Sequence, residues 1–177
     1  MKKLFSFVLL LAAVLTTTVF ASCGDDDNDD KTTVAGTYVG TDSLHFGMSP
    51  MSFKTAAKNV KFVVVENSDK SINVTLPEED FDFSSDPMVG TMIGKIVQGT
   101  YTVKNIPYDA TKKAYYLDYS NNASAHISIS GMKLDKDYDV TLGQITVTFT
   151  GSTVTIENVH KFGSMPMALN AIFIGTK

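Results

Sequence analysis

Three short segments carry the side chains with the least ordinary chemistry: Met48-Ser49-Pro50-Met51, Pro87-Met88 with Met92, and Met165-Pro166-Met167. Each is turn-like and contains proline. Soft thioethers at such spacing can ligate Cu(I) or haem iron, with His45 or His160 as a partner. They also serve as adaptable filler at apolar surfaces that accept varied ligands. Packing in the core or at a rim weighs most, lining of a ligand pocket next, and metal or haem least. Were the three segments to converge at one end of a barrel, they would form an apolar mouth.

The remaining reactive side chains form no catalytic set. A hydrolytic triad needs a nucleophile, a histidine base and a carboxylate in mutual reach. His45, His126 and His160 fall on separate strands or loops, and neither Gly-x-Ser-x-Gly nor His-Glu-x-x-His occurs. Scattered histidines of this kind read as surface or half-buried residues. Glu78-Glu79-Asp80 and Asp82 are paired carboxylates, but a glycosidase needs two across a cleft, and an acidic run reads as a solvated loop. Phe81 and Phe83 are expected to point inward there, with Asp80 and Asp82 in water. Tyr115, Leu117 and Tyr119 share a strand face that could stack on sugars, although such residues are routine in strands. The sequence is read as non-enzymatic, with no catalytic residue, no metal and no cofactor.

The N-terminus supplies a location. Lys2 and Lys3 precede a nearly unbroken apolar run from Leu4 to Phe20. A positive start, a short apolar core and small residues at the exit are the layout of a secretory signal. Phe20-Ala21-Ser22-Cys23-Gly24 resembles the bacterial lipobox, in which the cysteine is acylated and becomes the new N-terminus. Cys23 is the chain's single cysteine, and acylation accounts for an otherwise unpaired thiol. The expected division is 1–22 signal peptide, 23–32 acylated cysteine and tether, and 33–177 one folded domain. In the tether, five aspartates among Asp25–Asp30 repel one another and cannot pack. The run resembles the acidic export signal of Bacteroidota lipoproteins. An outer-membrane lipoprotein facing the cell surface is therefore expected, with the periplasmic face as the alternative.

Charge narrows the partners. The formal net charge is −4, and no residue is arginine. An acidic chain without arginine lacks the bidentate contacts that nucleic-acid readers use, so nucleic acid is excluded.

The elements that would position the methionines are strands. Gln144-Ile145-Thr146-Val147-Thr148-Phe149-Thr150 alternates apolar and polar residues, Gly151-Ser152 makes a two-residue turn, and Thr153 to Glu157 resumes the alternation. Val34–Thr41, Val60–Glu66, Ile72–Leu76, Gln98–Ile106, Ala114–Tyr119, Ala125–Ser130 and Ala168–Gly175 read as further strands. The segments 67–70 and 107–112 are expected to close a second and a third hairpin. The last strand is apolar on both faces and is expected to be covered outside as well as inside. Ser49–Asn59 and Phe83–Met92 read as irregular. Eight or nine short strands with tight turns give an all-β antiparallel barrel or sandwich.

Ala35-Gly36-Thr37-Tyr38-Val39-Gly40, directly after an acidic tether, and the closing Ile172-Phe173-Ile174-Gly175 resemble the calycin-like (lipocalin-like) β-barrel lipoproteins of Bacteroidota. That resemblance implies a barrel over about residues 33–177 able to hold a small apolar ligand, and implies no reaction. Tyr38 stands where true lipocalins place tryptophan, and Lys161 or Lys177 would take the place of their covering basic residue. The candidate ligand-contacting set is Met48, Met51, Met88, Met92, Met165, Met167 and Tyr38. The leading expectation is a binding module for a small apolar or amphipathic ligand. The alternative is a filled barrel that meets a surface partner or a glycan.

Overall fold

The computed structural model describes residues 33–48 and 51–177, with the side chain of Met48 outside the described set. The signal peptide, Cys23 and the acidic tether also lie outside it. The described residues all belong to one compact unit, Thr32–Lys177.

Twelve strands and no helix make up the described fold. In chain order they are β1 Gly36–Met48, β2 Met51–Glu66, β3 Ile72–Leu76, β4 Glu79–Asp82, β5 Lys95–Gln98 and β6 Tyr101–Ile106. The rest are β7 Tyr108–Asp109, β8 Ala114–Asp118, β9 Ser124–Ile129, β10 Leu134–Thr150, β11 Thr153–Phe162 and β12 Leu169–Thr176. They pair antiparallel in the order β4-β5-β9-β10-β11-β12-β1-β2-β3-β6, with β7 on β8 and β8 on β10. The sheet curls into a half-barrel.

Two bulges allow the curl. On β2, Asn59 is the extra residue: Gly40 pairs Val60 and Thr41 pairs Lys58, and Asn59 takes a left-handed φ of 58°, which asparagine tolerates. On β10 the register against β11 shifts between Val140 and Leu142. There the Thr141 hydroxyl donates to the carbonyls of Lys161 (3.2 Å) and Gly163 (2.7 Å). The first half of β10 pairs β9 and the second half pairs β8. One long bent strand thus belongs to both parts of the sheet, as bulges permit.

The expected β10–β11 hairpin forms, with Thr150 opposite Thr153 and Gly151 at φ 58°. So does the β2–β3 hairpin, with Glu66 opposite Ile72. Other expectations are corrected. Residues 51–59 are strand, not loop: Phe53, Thr55 and Ala57 form the covered face and Ser52, Lys54, Ala56 and Lys58 the exposed one, but Thr55 and Ala57 are weakly apolar and mark that face poorly. Gln98–Ile106 is two strands with different partners, β5 on β4 and β9, β6 on β3. The third hairpin is the short β7–β8 pair, because β6 and β8 do not pair with each other. The outer face of β12 is open, with Ile172 36% and Ile174 55% exposed. Phe83–Met92 is irregular as expected.

At the Gly36 end of β1 the interior is filled. Phe62 and Phe173 stack with ring centroids 4.0 Å apart, and Tyr38 packs on Phe149 at 5.9 Å. Gly40 is required beside them, since a Cβ there would collide with the Ile174 carbonyl across the β1–β12 ladder.

Candidate functional site

At the Met48 end of β1 the interior is hollow. A cavity of about 540 Å³ opens there, within the size range of small-molecule sites. Its walls are Phe46 from β1, Phe53 from β2, Ile96 from β5, Ile127 and Ile129 from β9, Leu134 and Tyr138 from β10, and Phe162 and Leu169 at the ends of β11 and β12. These are the inward phases of alternating strands. Among the described residues no charged side chain lines it; Ser164 and Tyr138 bring its side-chain hydroxyls.

The mouth is built from turns that carry the methionines. Residues 83–94 fold into consecutive tight turns. Asp86 Oδ1 accepts from the amides of Met88 (2.8 Å) and Val89 (3.1 Å), while the Gly90 amide donates to the Asp86 carbonyl at 2.9 Å. Gly90 has no room for a Cβ, which would sit 2.5 Å from that carbonyl oxygen. The Gly131 amide ties the β9–β10 turn to the Ile93 carbonyl at 3.0 Å. The Gly163 amide ties the β11–β12 connection to the Asp139 carbonyl at 2.9 Å. Met88, Met92, Met132, Met165 and Met167, hung on these turns, and Met51 at the start of β2 all line the one cavity.

The candidate residues separate accordingly. Met51, Met88, Met92, Met165 and Met167 are brought together, and Met132, not singled out in the sequence, joins them. Tyr38 lies apart from them: it is 2% exposed and does not line the cavity. Its hydroxyl donates to the Val34 carbonyl at 2.8 Å, and Lys177 Nζ lies 5.5 Å from its ring centroid. Lys177, and not Lys161, thus covers Tyr38, so Tyr38 closes the far end of the barrel. No histidine lines the cavity. His45 Nε2 meets Ser52 Oγ at 2.6 Å. His126 sits between Asp135 (2.9 Å) and Asp137 (2.8 Å) on the exposed face of β9 and β10.

Away from the cavity lining, the barrel contains a buried polar chain that the sequence reading missed. Gln98 Nε2 donates to Glu79 Oε2 at 3.4 Å, and Gln98 Oε1 lies 3.1 Å from His160 Nε2. His160 Nδ1 faces the Asn158 carbonyl at 3.2 Å. Tyr119 donates to Asn158 Oδ1 at 2.6 Å, and Asn158 Nδ2 donates to the Tyr101 hydroxyl at 2.8 Å. Gly143 leaves room for the Tyr119 ring, where a Cβ would lie 2.6 Å from it. Glu79, read as part of a solvated run, is 1% exposed, and His160 is fully buried.

Asp42 is the other buried acid. No donor from the rest of the described protein reaches Asp42 Oδ1 or Glu79 Oε1. Burial, and then the charge of Asp42, push the Glu79 carboxyl up to about 10. Burial also raises Asp42 to about 6, opposed by its hydrogen bond with Glu79. At neutral pH Glu79 therefore keeps its proton and the pair holds a single charge. Burial holds His160 down to about 4, so its imidazole is neutral with one N–H.

Comparison with known proteins gives the fold a family context. A family model described as the calycin-like beta-barrel domain matches residues 34–176. A crystal structure of a Bacteroides fragilis protein, named as a "putative outer membrane protein", superposes with a TM-score of 0.51 at 19% sequence identity. That match covers 81% of this chain and 51% of the other, so this chain spans about half of that one. No curated protein matches.

Proposed function

Because this chain belongs to the calycin-like β-barrel family, whose fold often binds small ligands and is generally not enzymatic, we propose that it is a lipid-anchored binding module of the outer membrane. Its ligand is small and apolar or amphipathic, and it enters through the methionine-lined mouth. One observation carries this reading: every methionine side chain the structure describes lines the same uncharged cavity. An unbranched thioether adapts to varied apolar shapes, and a wall without charge suits a ligand that brings none.

The location rests on the sequence, in the lipobox-like exit at Cys23 and the acidic run that follows. The outer-membrane name of the Bacteroides fragilis protein agrees with it. The acidic run at Asp25–Asp30 favours the cell-surface face.

Titration with a neutral, environment-sensitive fluorophore such as N-phenylnaphthylamine tests the site. Saturable binding is expected, weakened about tenfold by Met92→Trp, whose indole would occupy the mouth. Absence of saturable binding, or equal binding by Met92→Trp, would contradict this use of the cavity.

A further inference from the structure

The methionines have a second property that follows from where they sit. Six have described side chains, and all six line the mouth cavity, while none belongs to the fully buried core. Met51, Met88, Met92 and Met132 are 51%, 63%, 58% and 52% exposed. The chain's single cysteine is Cys23, outside the described domain, so the described domain holds its sulfur only as thioethers.

We propose that this mouth is an oxidative modification site: peroxide-class oxidants convert the exposed Met51, Met88, Met92 and Met132 to sulfoxides, which closes the cavity to apolar ligands and leaves the fold standing. The proposal rests on the binding reading above. In the reaction, a sulfur lone pair attacks one peroxide oxygen as the O–O bond breaks. An S–O bond forms, and the proton carried on that oxygen leaves with the departing hydroxide as water. Sulfur is oxidised by two electrons and the peroxide is reduced by two, with hydrogen peroxide as the oxidant.

The consequences follow from polarity and position. A sulfoxide is a polar, chiral group where an apolar, flexible one stood. A ligand seated against it would bury an unpaired S=O dipole, which costs about tenfold in affinity or more. Oxidised methionine usually damages a protein by disrupting its core. Here the core is built of Val, Ile, Leu, Phe, Tyr and Ala, so the same oxidation reaches the site and spares the barrel.

The test treats the folded mature protein with hydrogen peroxide, maps added oxygen by peptide mass spectrometry, and follows both thermal unfolding and N-phenylnaphthylamine affinity. Oxygen should appear first on Met51, Met88, Met92 and Met132. Affinity should fall at least about tenfold in step with it, while the unfolding temperature stays within a few degrees. A fourfold variant, Met51→Leu, Met88→Leu, Met92→Leu and Met132→Leu, should show a before-to-after affinity ratio near one, whatever its starting affinity. Oxidised thioethers with unchanged affinity would overturn the proposal, as would affinity lost only when the barrel unfolds, or a variant as sensitive as the natural chain. A protein that binds no probe before treatment would instead sink the binding reading and this proposal with it.

Discussion

Glu79 enters β4 in the same phase as Phe81 and Phe83, so the strand's alternation turns its carboxyl into the barrel and leaves Asp80 and Asp82 in water. The fold carries an energetic cost there that pH controls. Glu79 is raised from 4.5 to about 10 and Asp42 from 3.8 to about 6. For an acid whose folded value is raised, the unfolded chain releases its proton first. Stability is therefore fully present below the ordinary value and declines as pH climbs towards the folded one. His160 acts oppositely: lowered from 6.5 to about 4, it removes stability as pH falls through that window. Glu79→Gln should stabilise the protein at pH 8, on the order of 2 kcal/mol, and change it little at pH 4. The amide still donates towards Asp42 and accepts from Gln98. Urea melts at both pH values check this; a variant no more stable than the natural chain at pH 8 would show that Glu79 is not held protonated. The methionines make a contrasting case. Met51→Leu and Met167→Leu should each shift stability by less than about 1 kcal/mol, because neither side chain is in the buried core.

At the scale of elements, the bend of β10 and the close contact of β1 with β12 shape the curled sheet. Gly40 sits where a Cβ would strike the Ile174 carbonyl. Gly40→Ala should destabilise the barrel by about 2 kcal/mol in denaturant unfolding, and an unaffected midpoint would mean that the β1–β12 ladder yields easily. The legibility of these elements followed burial. Gln144–Thr150 and Thr153–Glu157 were readable because one face is buried and the other wet. Residues 51–59 were not, since the covered face of that stretch carries Thr55 and Ala57 beside Phe53, a weak apolar signal, and a bulge at Asn59 resets its phase. The first half of β10 hid its alternation behind acids: Leu134, Tyr138 and Val140 point one way, while Asp135, Asp137 and Asp139 point to solvent on the other. The candidate site was legible in part. Three Pro-containing methionine segments marked the mouth, but Met132 stands in a turn without proline. The polar chain went unread because Asp42, Glu79, Gln98 and His160 are hydrophilic types. Their phase with Leu44, Phe81, Ile96 and Phe162 was the available signal.

For the molecule as a whole, the two ends of the barrel do different things. The Tyr38–Lys177 end is packed shut with stacked aromatic rings, and the opposite end is hollow and rimmed with thioethers. The choice between a filled and a hollow barrel therefore resolves by position along it. Attachment belongs to this scale as well. Cys23→Ser should move the protein from the membrane to the soluble fraction, assayed by fractionation and by loss of labelled acyl chain; a variant that stays membrane-bound would argue against Cys23 as the anchor. The central claim, that the methionine mouth holds a small apolar ligand, is tested most directly by native mass spectrometry of the protein taken gently from its own membrane fraction. The expected spectrum shows a reproducible mass excess that disappears on denaturation, while the covalent acyl chains remain. A bare protein mass, with no uptake of neutral apolar compounds offered afterwards, would contradict the claim and favour a barrel that works through its outer surface.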